Sequence, residues 1–200
     1  MNTNLLPLPI TDIRQAAKMC RDVYEMETDW FSIRMDGTLF IAIEGTDTAS
    51  DWKTNLSFLF RSEDTHDGFK RNAWRLFFEM FCSDLFRLTD KDQRIILCGH
   101  SLGGATATVL FDLLDNVFPN LFLVTFGSPR PGGRKLRNRL NPDRMVRFVH
   151  GSDVVPHTPP WFAGYVHVCP RVHLPDTHEE LFDGVKDHSM DEYIKALNSV

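Results

Sequence analysis

A chain of 200 residues with 42% hydrophobic and 24% charged residues has the balance of an ordinary globular protein, which suggests neither disorder nor a membrane span. At that length a single domain buries about 70% of the surface its unfolded chain exposes. The formal net charge of −5 excludes the basic footprint expected of a nucleic-acid binder or of a protein held on anionic lipid.

In chain order, Met1 to Ile10 has no basic opening, and Pro7 and Pro9 interrupt its apolar cluster, so no secretory signal is visible and a cytoplasmic setting is expected. Thr11 is placed to cap a helix running to about Glu27. Phe31 to Met35, then Asp36-Gly37, then Thr38 to Ile43 reads as a hairpin. Phe69, Ala73, Leu76, Phe77, Met80, Phe81, Leu85 and Leu88 recur at helical spacing and predict one apolar face on a long helix, packed on a sheet. Arg94 to Cys98 is an apolar run too short for a helix, and it leads through Gly99-His100-Ser101-Leu102-Gly103-Gly104 into the helix-prone Ala105 to Leu114.

Leu121 to Phe126 and Met145 to Val149 read as further buried strands, and Asp187 to Leu197 as a closing helix. Strands alternating with helices predict an α/β architecture with a mostly parallel central sheet, and no linker or repeat divides residues 1–200 into more than one domain. The basic stretch Arg130 to Arg147, broken by prolines and glycines, reads as a solvated loop face. Cys20, Cys82, Cys98 and Cys169 fall in two helices, a core strand and a late hairpin without paired spacing, which predicts reduced thiols.

Gly99-x-Ser101-x-Gly103 between a strand and a helix fits a nucleophile elbow, a strained turn whose glycines remove side chains that would collide. The backbone N–H of Leu102 then points from a helix N-terminus, where negative charge is stabilised. A serine hydroxyl needs a base, and the base needs a carboxylate to fix its tautomer. Where such an elbow occurs the order is serine, acid, histidine, which excludes His66 and His100. His188 is preferred because it lies in a loop just before the last helix; His150, His157, His167, His173 and His178 stay open, His178 being its strongest rival. Asp153, just beyond the strand Met145 to Val149, is the candidate acid, because open α/β sheets build sites past the carboxyl ends of their strands.

These blocks resemble the class 3 (fungal-type) lipases, a branch of the α/β-hydrolase fold, over about residues 38 to 195. The resemblance rests on Gly99 to Gly104, Thr125-Phe126-Gly127-Ser128-Pro129-Arg130, His150 to Pro156 with Pro159-Pro160, Gly164 to His167 and Asp187 to Tyr193. It implies a compact α/β-hydrolase and assigns the catalytic histidine to His188. It also implies that Thr46, after Gly45, is one oxyanion donor and Leu102 the other, with Asp51, Trp52 and Asn55 following as in the family. Glu44 departs from the family, where an Arg is common, and the lid region Thr48 to Phe60 is short. A short lid implies weak interfacial activation. Trp52, Phe58, Trp161 and Phe162 are the candidate pocket or lid residues, while most of the 16 phenylalanines read as core.

The expected activity is hydrolysis of acylglycerol or other lipid esters by a monomer that needs no metal or cofactor and touches a lipid interface only transiently. His167-x-Cys169 with His173 matches no common zinc spacing. The alternatives are a catalytically silent binding module on the same fold, and a phospholipase or thioesterase on the same three residues.

Overall fold

Strand β2 (Thr38–Ile43) is buried at all six positions, so it reads as a continuous apolar run, which requires a layer of packing on both faces of its sheet. The computed structural model describes residues 6–45, 61–62, 65–176 and 186–199. Among these, β1 (Trp30–Met35) pairs antiparallel with β2 through Asp36 and Gly37, both at positive φ (47° and 75°) as a two-residue hairpin turn requires. A short ribbon, β3 (Arg61–Ser62) with β4 (Thr65–His66), stands apart from the main sheet. Beyond β2 the main sheet continues in parallel through β5 (Arg94–His100), β6 (Leu121–Phe126), β7 (Met145–His150) and β8 (Arg171–Leu174).

The period-two alternation of the strands sorts the core into two halves. Leu39, Ile41, Ile43, Ile95, Leu97, Leu121 and Leu123 face helices α2 (Asp67–Cys82) and α3 (Leu102–Leu114). Phe40, Ala42, Ile96, Cys98, Val124, Phe126, Val146 and Phe148 share the opposite cluster with α1 (Ile10–Asp22) and α5 (Met190–Asn198). A short helix, α4 (Arg134–Arg139), lies between β6 and β7. The expected α/β architecture with a mostly parallel sheet is therefore present.

Several boundaries differ from expectation for local reasons. Helix α1 starts at Ile10, one residue before Thr11, because Pro9 with φ −57° occupies the cap position; the helix ends at Asp22 and passes into a 3-10 turn over Val23–Glu25. Helix α2 stops at Cys82, after which Asp84 takes a left-handed conformation. Phe69, Ala73, Leu76 and Met80 are buried as predicted, whereas Phe81 and Leu88 are 54% and 73% exposed. Among the described residues the strand after Cys169, β8, is seen to join β7 in parallel rather than to form a hairpin. The basic stretch is not one solvated face, since Arg147 is buried in β7 and Arg144 pairs with Asp115 at 2.5 Å. Helix α5 begins at Met190, capped by the Ser189 hydroxyl, which leaves Asp187 and His188 in the turn before it.

Leu97 lies at the centre of the sheet with no exposed surface. Leu97→Ala is expected to cost about 2–5 kcal/mol. Each of those kcal/mol corresponds to about 2–4 °C in a thermal melt for a domain of this size, and a loss below about 1 kcal/mol would mean the site collapses around the missing atoms.

Candidate active site

The turn from β5 into α3 puts Ser101 at φ 54°, ψ −128°, a conformation that costs a non-glycine residue about 1–3 kcal/mol and persists only where the surroundings enforce it. They do so here through close backbone packing. Ser101 N–H donates to the Phe126 carbonyl at 3.0 Å, and Gly104 N–H donates back to the Ser101 carbonyl at 3.0 Å. A Cβ on Gly99 would lie 2.4 Å from the backbone of Gly103, and one on Gly103 would lie 2.4 Å from the Ile43 carbonyl oxygen. Both glycines are thus demanded by space. Leu102 is the first residue of α3, so its N–H has no acceptor within the helix and is available beside the serine.

The Ser101 hydroxyl lies 2.9 Å from His188 Nε2. On the far side of the imidazole, His188 Nδ1 lies 2.9 and 3.0 Å from the two oxygens of Asp153. With the proton on Nδ1, where a carboxylate holds it, Nε2 accepts from the serine. Asp153 is 1% exposed, and burying its charge requires donors on its lone pairs. Beyond His188 it has two: Val155 N–H at 2.9 Å on Oδ1 and the Tyr193 hydroxyl at 2.7 Å on Oδ2. Burial, reinforced by Asp153, pushes the Tyr193 phenol well above its ordinary pKa of 10.0. Tyr193 therefore keeps its proton and acts as a donor across the neutral range.

Gly127, just past β6, supplies the floor under this pair. Its φ is +56°, and a Cβ there would lie 2.8 Å from Asp153 Oδ2 and 2.9 Å from His188 Nδ1. Asp153 and His188 meet in the space that the missing side chain leaves.

The remaining histidines are placed elsewhere or engaged otherwise. His150 is fully buried with Nδ1 3.3 Å from the Asp187 carbonyl oxygen. His167 donates from Nε2 to the Pro156 carbonyl at 2.8 Å, and burial followed by the Arg147 charge lowers its pKa to about 3. His157 and His173 are exposed, and His66 caps α2. His178, the strongest rival to His188, lies outside the described residues. Thr46, Trp52 and Phe58 lie outside them too. Trp161 and Phe162 sit in a short 3-10 turn and are 73% and 78% exposed, so they stand out from the surface rather than line a buried wall. Among the described residues the group whose metal-ligating atoms converge is His150, Asp176 and Asp187, not the run His167, Cys169 and His173.

Gly127 and Tyr193 belong to this site although neither was expected there. Both lie in blocks that carry the family resemblance, and Tyr193 also falls four residues after the cap Ser189, on the face of α5 that packs inward.

A parallel sheet with helices on both faces, a serine on a strained strand-to-helix turn and a histidine and aspartate beyond later strands define a serine hydrolase architecture of the α/β-hydrolase fold. Residues 40–163 match the family model "Lipase (class 3)", and the chain belongs to that family. It is 31% identical over 151 residues to a secreted mono- and diacylglycerol lipase of Fusarium solani, an alignment covering 68% of this chain and 44% of the relative. It is 27% identical over 145 residues to secreted mono- and diacylglycerol lipase A of Penicillium cyclopium, covering 68% and 48%. The chain thus spans about half the length of these curated relatives. Among solved structures, a lipase of Rhizopus microsporus var. chinensis superposes with a TM-score of 0.66 at 25% identity, covering 87% of this chain and 76% of that one. Both curated relatives are named as secreted, so the comparisons lend no support to the cytoplasmic setting expected from the sequence. Among the described residues no helix is long and apolar enough to cross a membrane.

Two substitutions test the geometry. Gly127→Ala forces a side chain between Asp153 and His188 and is expected to lower ester hydrolysis at least about 100-fold, as a displacement of about 1 Å does; near-normal turnover in a folded variant would contradict it. Tyr193→Phe removes one donor from the buried carboxylate, at a stability cost of about 1.5–3 kcal/mol. Chemical denaturation of the variant beside the wild-type chain measures that loss. An unchanged stability would show that Tyr193 does not act on the carboxylate.

Proposed function

We propose that this chain is a carboxylic ester hydrolase of the lipase and esterase type, acting on acylglycerol or similar lipid esters, with Ser101 as nucleophile, His188 as general base and Asp153 as the residue that orients the base. The observation that carries the reading is the 2.9 Å approach of Ser101 Oγ to His188 Nε2, with Asp153 on the other ring nitrogen at the same distance. A serine hydroxyl is a weak nucleophile until a neighbouring base takes its proton.

In the proposed cycle Ser101 Oγ bonds to the ester carbonyl carbon while its proton moves to His188 Nε2. The carbonyl becomes an oxyanion held by the Leu102 N–H and by Thr46, in the role the family resemblance gives that residue. His188 then delivers the proton to the departing alcohol oxygen as the C–O bond breaks, leaving an acyl-serine. Water, deprotonated by the same imidazole, adds to the acyl carbon, and the proton returns to Ser101 as the carboxylic acid leaves. Nucleophile, base and amide donors suffice for each step, and the scheme calls for no cofactor.

The substrate class rests on the family and on the surface around the site. Val154, Trp161 and Phe162 are 53%, 73% and 78% exposed and follow the carboxyl end of β7, the end of the sheet that carries Asp153. Exposed apolar groups on the segment that follows Asp153 fit brief contact with aggregated lipid by a monomeric domain.

Labelling with a fluorophosphonate tests the reading directly. The wild-type chain should be labelled and Ser101→Ala should not, and Asp153→Asn should lower kcat about 10⁴-fold by releasing the wrong tautomer. Labelling that persists in Ser101→Ala would place the nucleophile elsewhere, and a wild-type chain inert both to the probe and to a chain-length series of nitrophenyl esters would favour a silent binding module instead.

A further inference from the structure

The base is carried by a turn, residues 186–188, in front of α5, and an imidazole is aimed no better than the peptide that bears it. Besides His150, whose Nδ1 lies 3.3 Å from the Asp187 carbonyl oxygen, two groups hold that turn. His100 is 6% exposed, with Nε2 2.7 Å from the His188 carbonyl oxygen and Nδ1 2.9 Å from the Tyr24 hydroxyl. A carbonyl only accepts, so Nε2 bears the ring proton and Nδ1 accepts from Tyr24. Burial first, and the nearby His188 second, push the His100 pKa well below its ordinary 6.5, which keeps the ring in this neutral form. Its ring centroid lies 4.5 Å from that of His188.

The second group is the Asp187 carboxylate, 2% exposed. Its Oδ2 accepts from both the backbone N–H and the hydroxyl of Ser152, each at 2.7 Å. Gly151 leaves it room, because a Cβ there would lie 2.7 Å from Asp187 Oδ2. The partners are the chain neighbours of the proposed triad: His100 precedes Ser101, Ser152 precedes Asp153, and Asp187 precedes His188.

We infer that His100 and Asp187 are positioning residues for the base, forming a second line of hydrogen bonds that ties the main chain of His188 to the nucleophile turn on one side and to the acid turn on the other. The inference rests on the triad reading. Neither residue touches substrate; each fixes where the imidazole points. Loss of either lets the His188 turn drift from both Ser101 and Asp153 while leaving the ester pocket as it was, so turnover falls and binding does not.

The test is steady-state hydrolysis of a soluble nitrophenyl butyrate by the full chain, with active sites counted by fluorophosphonate titration. Asp187→Ala and His100→Leu should each lower kcat per titrated site about 100-fold with KM within about threefold, and the labelling rate should fall in parallel. His100→Gln, whose amide can still donate to the His188 carbonyl, should recover most of the loss. Ser152→Ala, which keeps the carboxylate and the backbone bond, should show a smaller drop in kcat and serves if Asp187→Ala does not fold.

Wild-type kcat per site in these variants would overturn the inference, as would losses explained wholly by fewer titratable sites, or His100→Gln as poor as His100→Leu. A parent chain that is itself inert, or a Ser101→Ala variant that stays active, would instead remove the triad reading and the inference with it.

Discussion

The backbone of Ser101 is held where it would not rest by itself, and the agent is helix α3 pressed against the ends of β2 and β5. Gly103 lies so close to the carbonyls of Ile43 and Glu44 that no side chain fits between them, and Gly104 is equally tight against Ser128. Ten of the thirteen residues of α3 are buried, so the helix cannot relax outward without opening the larger of the two core clusters. The left-handed turn is thus stabilised by a helix's worth of apolar contacts, each small and together far larger than the strain. The close approach also brings the first amides of the helix beside the hydroxyl, where a developing negative charge is best received.

The same economy governs Asp153, whose buried oxygens need hydrogen-bond donors in place of solvent. Among the described residues three donors, from His188, Val155 and Tyr193, take the place of water, and Tyr193 stands on α5, whose inner face packs into the same cluster as β7. The surroundings of the carboxylate are therefore a property of the packed core and not of one loop.

What was legible in the sequence followed from local physics. The turn Asp36-Gly37 and the largely apolar run Leu121 to Phe126 marked their elements closely, with β1 starting one residue early at Trp30, since a primed turn and a doubly covered strand each leave a short-range signature. Helix ends were less legible: Pro9 overrode the cap that Thr11 offered, and Asp84 ended α2 before the apolar period ran out. The order of Ser101, Asp153 and His188 was readable as a pattern. The supports around them were not, because they join residues far apart in the chain: 88 positions separate His100 from His188, 40 separate Asp153 from Tyr193, and 35 separate Ser152 from Asp187. No periodicity in a window of ten or twenty residues encodes such a meeting. Thr46, Trp52 and Phe58 remain expectations of the sequence, since they lie outside the described residues.

Helix α5 packs its Tyr193, Ala196 and Leu197 into the cluster shared with α1, and the residues just ahead of it deliver the imidazole. Ser101 and His188 are 87 positions apart, so a ribosome finishes the serine long before the histidine emerges. A nascent chain already folded around its sheet would hold a hydroxyl with nothing to deprotonate it. Docking of α5 would then be the step that first brings this hydroxyl and imidazole within hydrogen-bond reach, so their meeting depends on the packing of the helix and not on the turn at Ser101 alone.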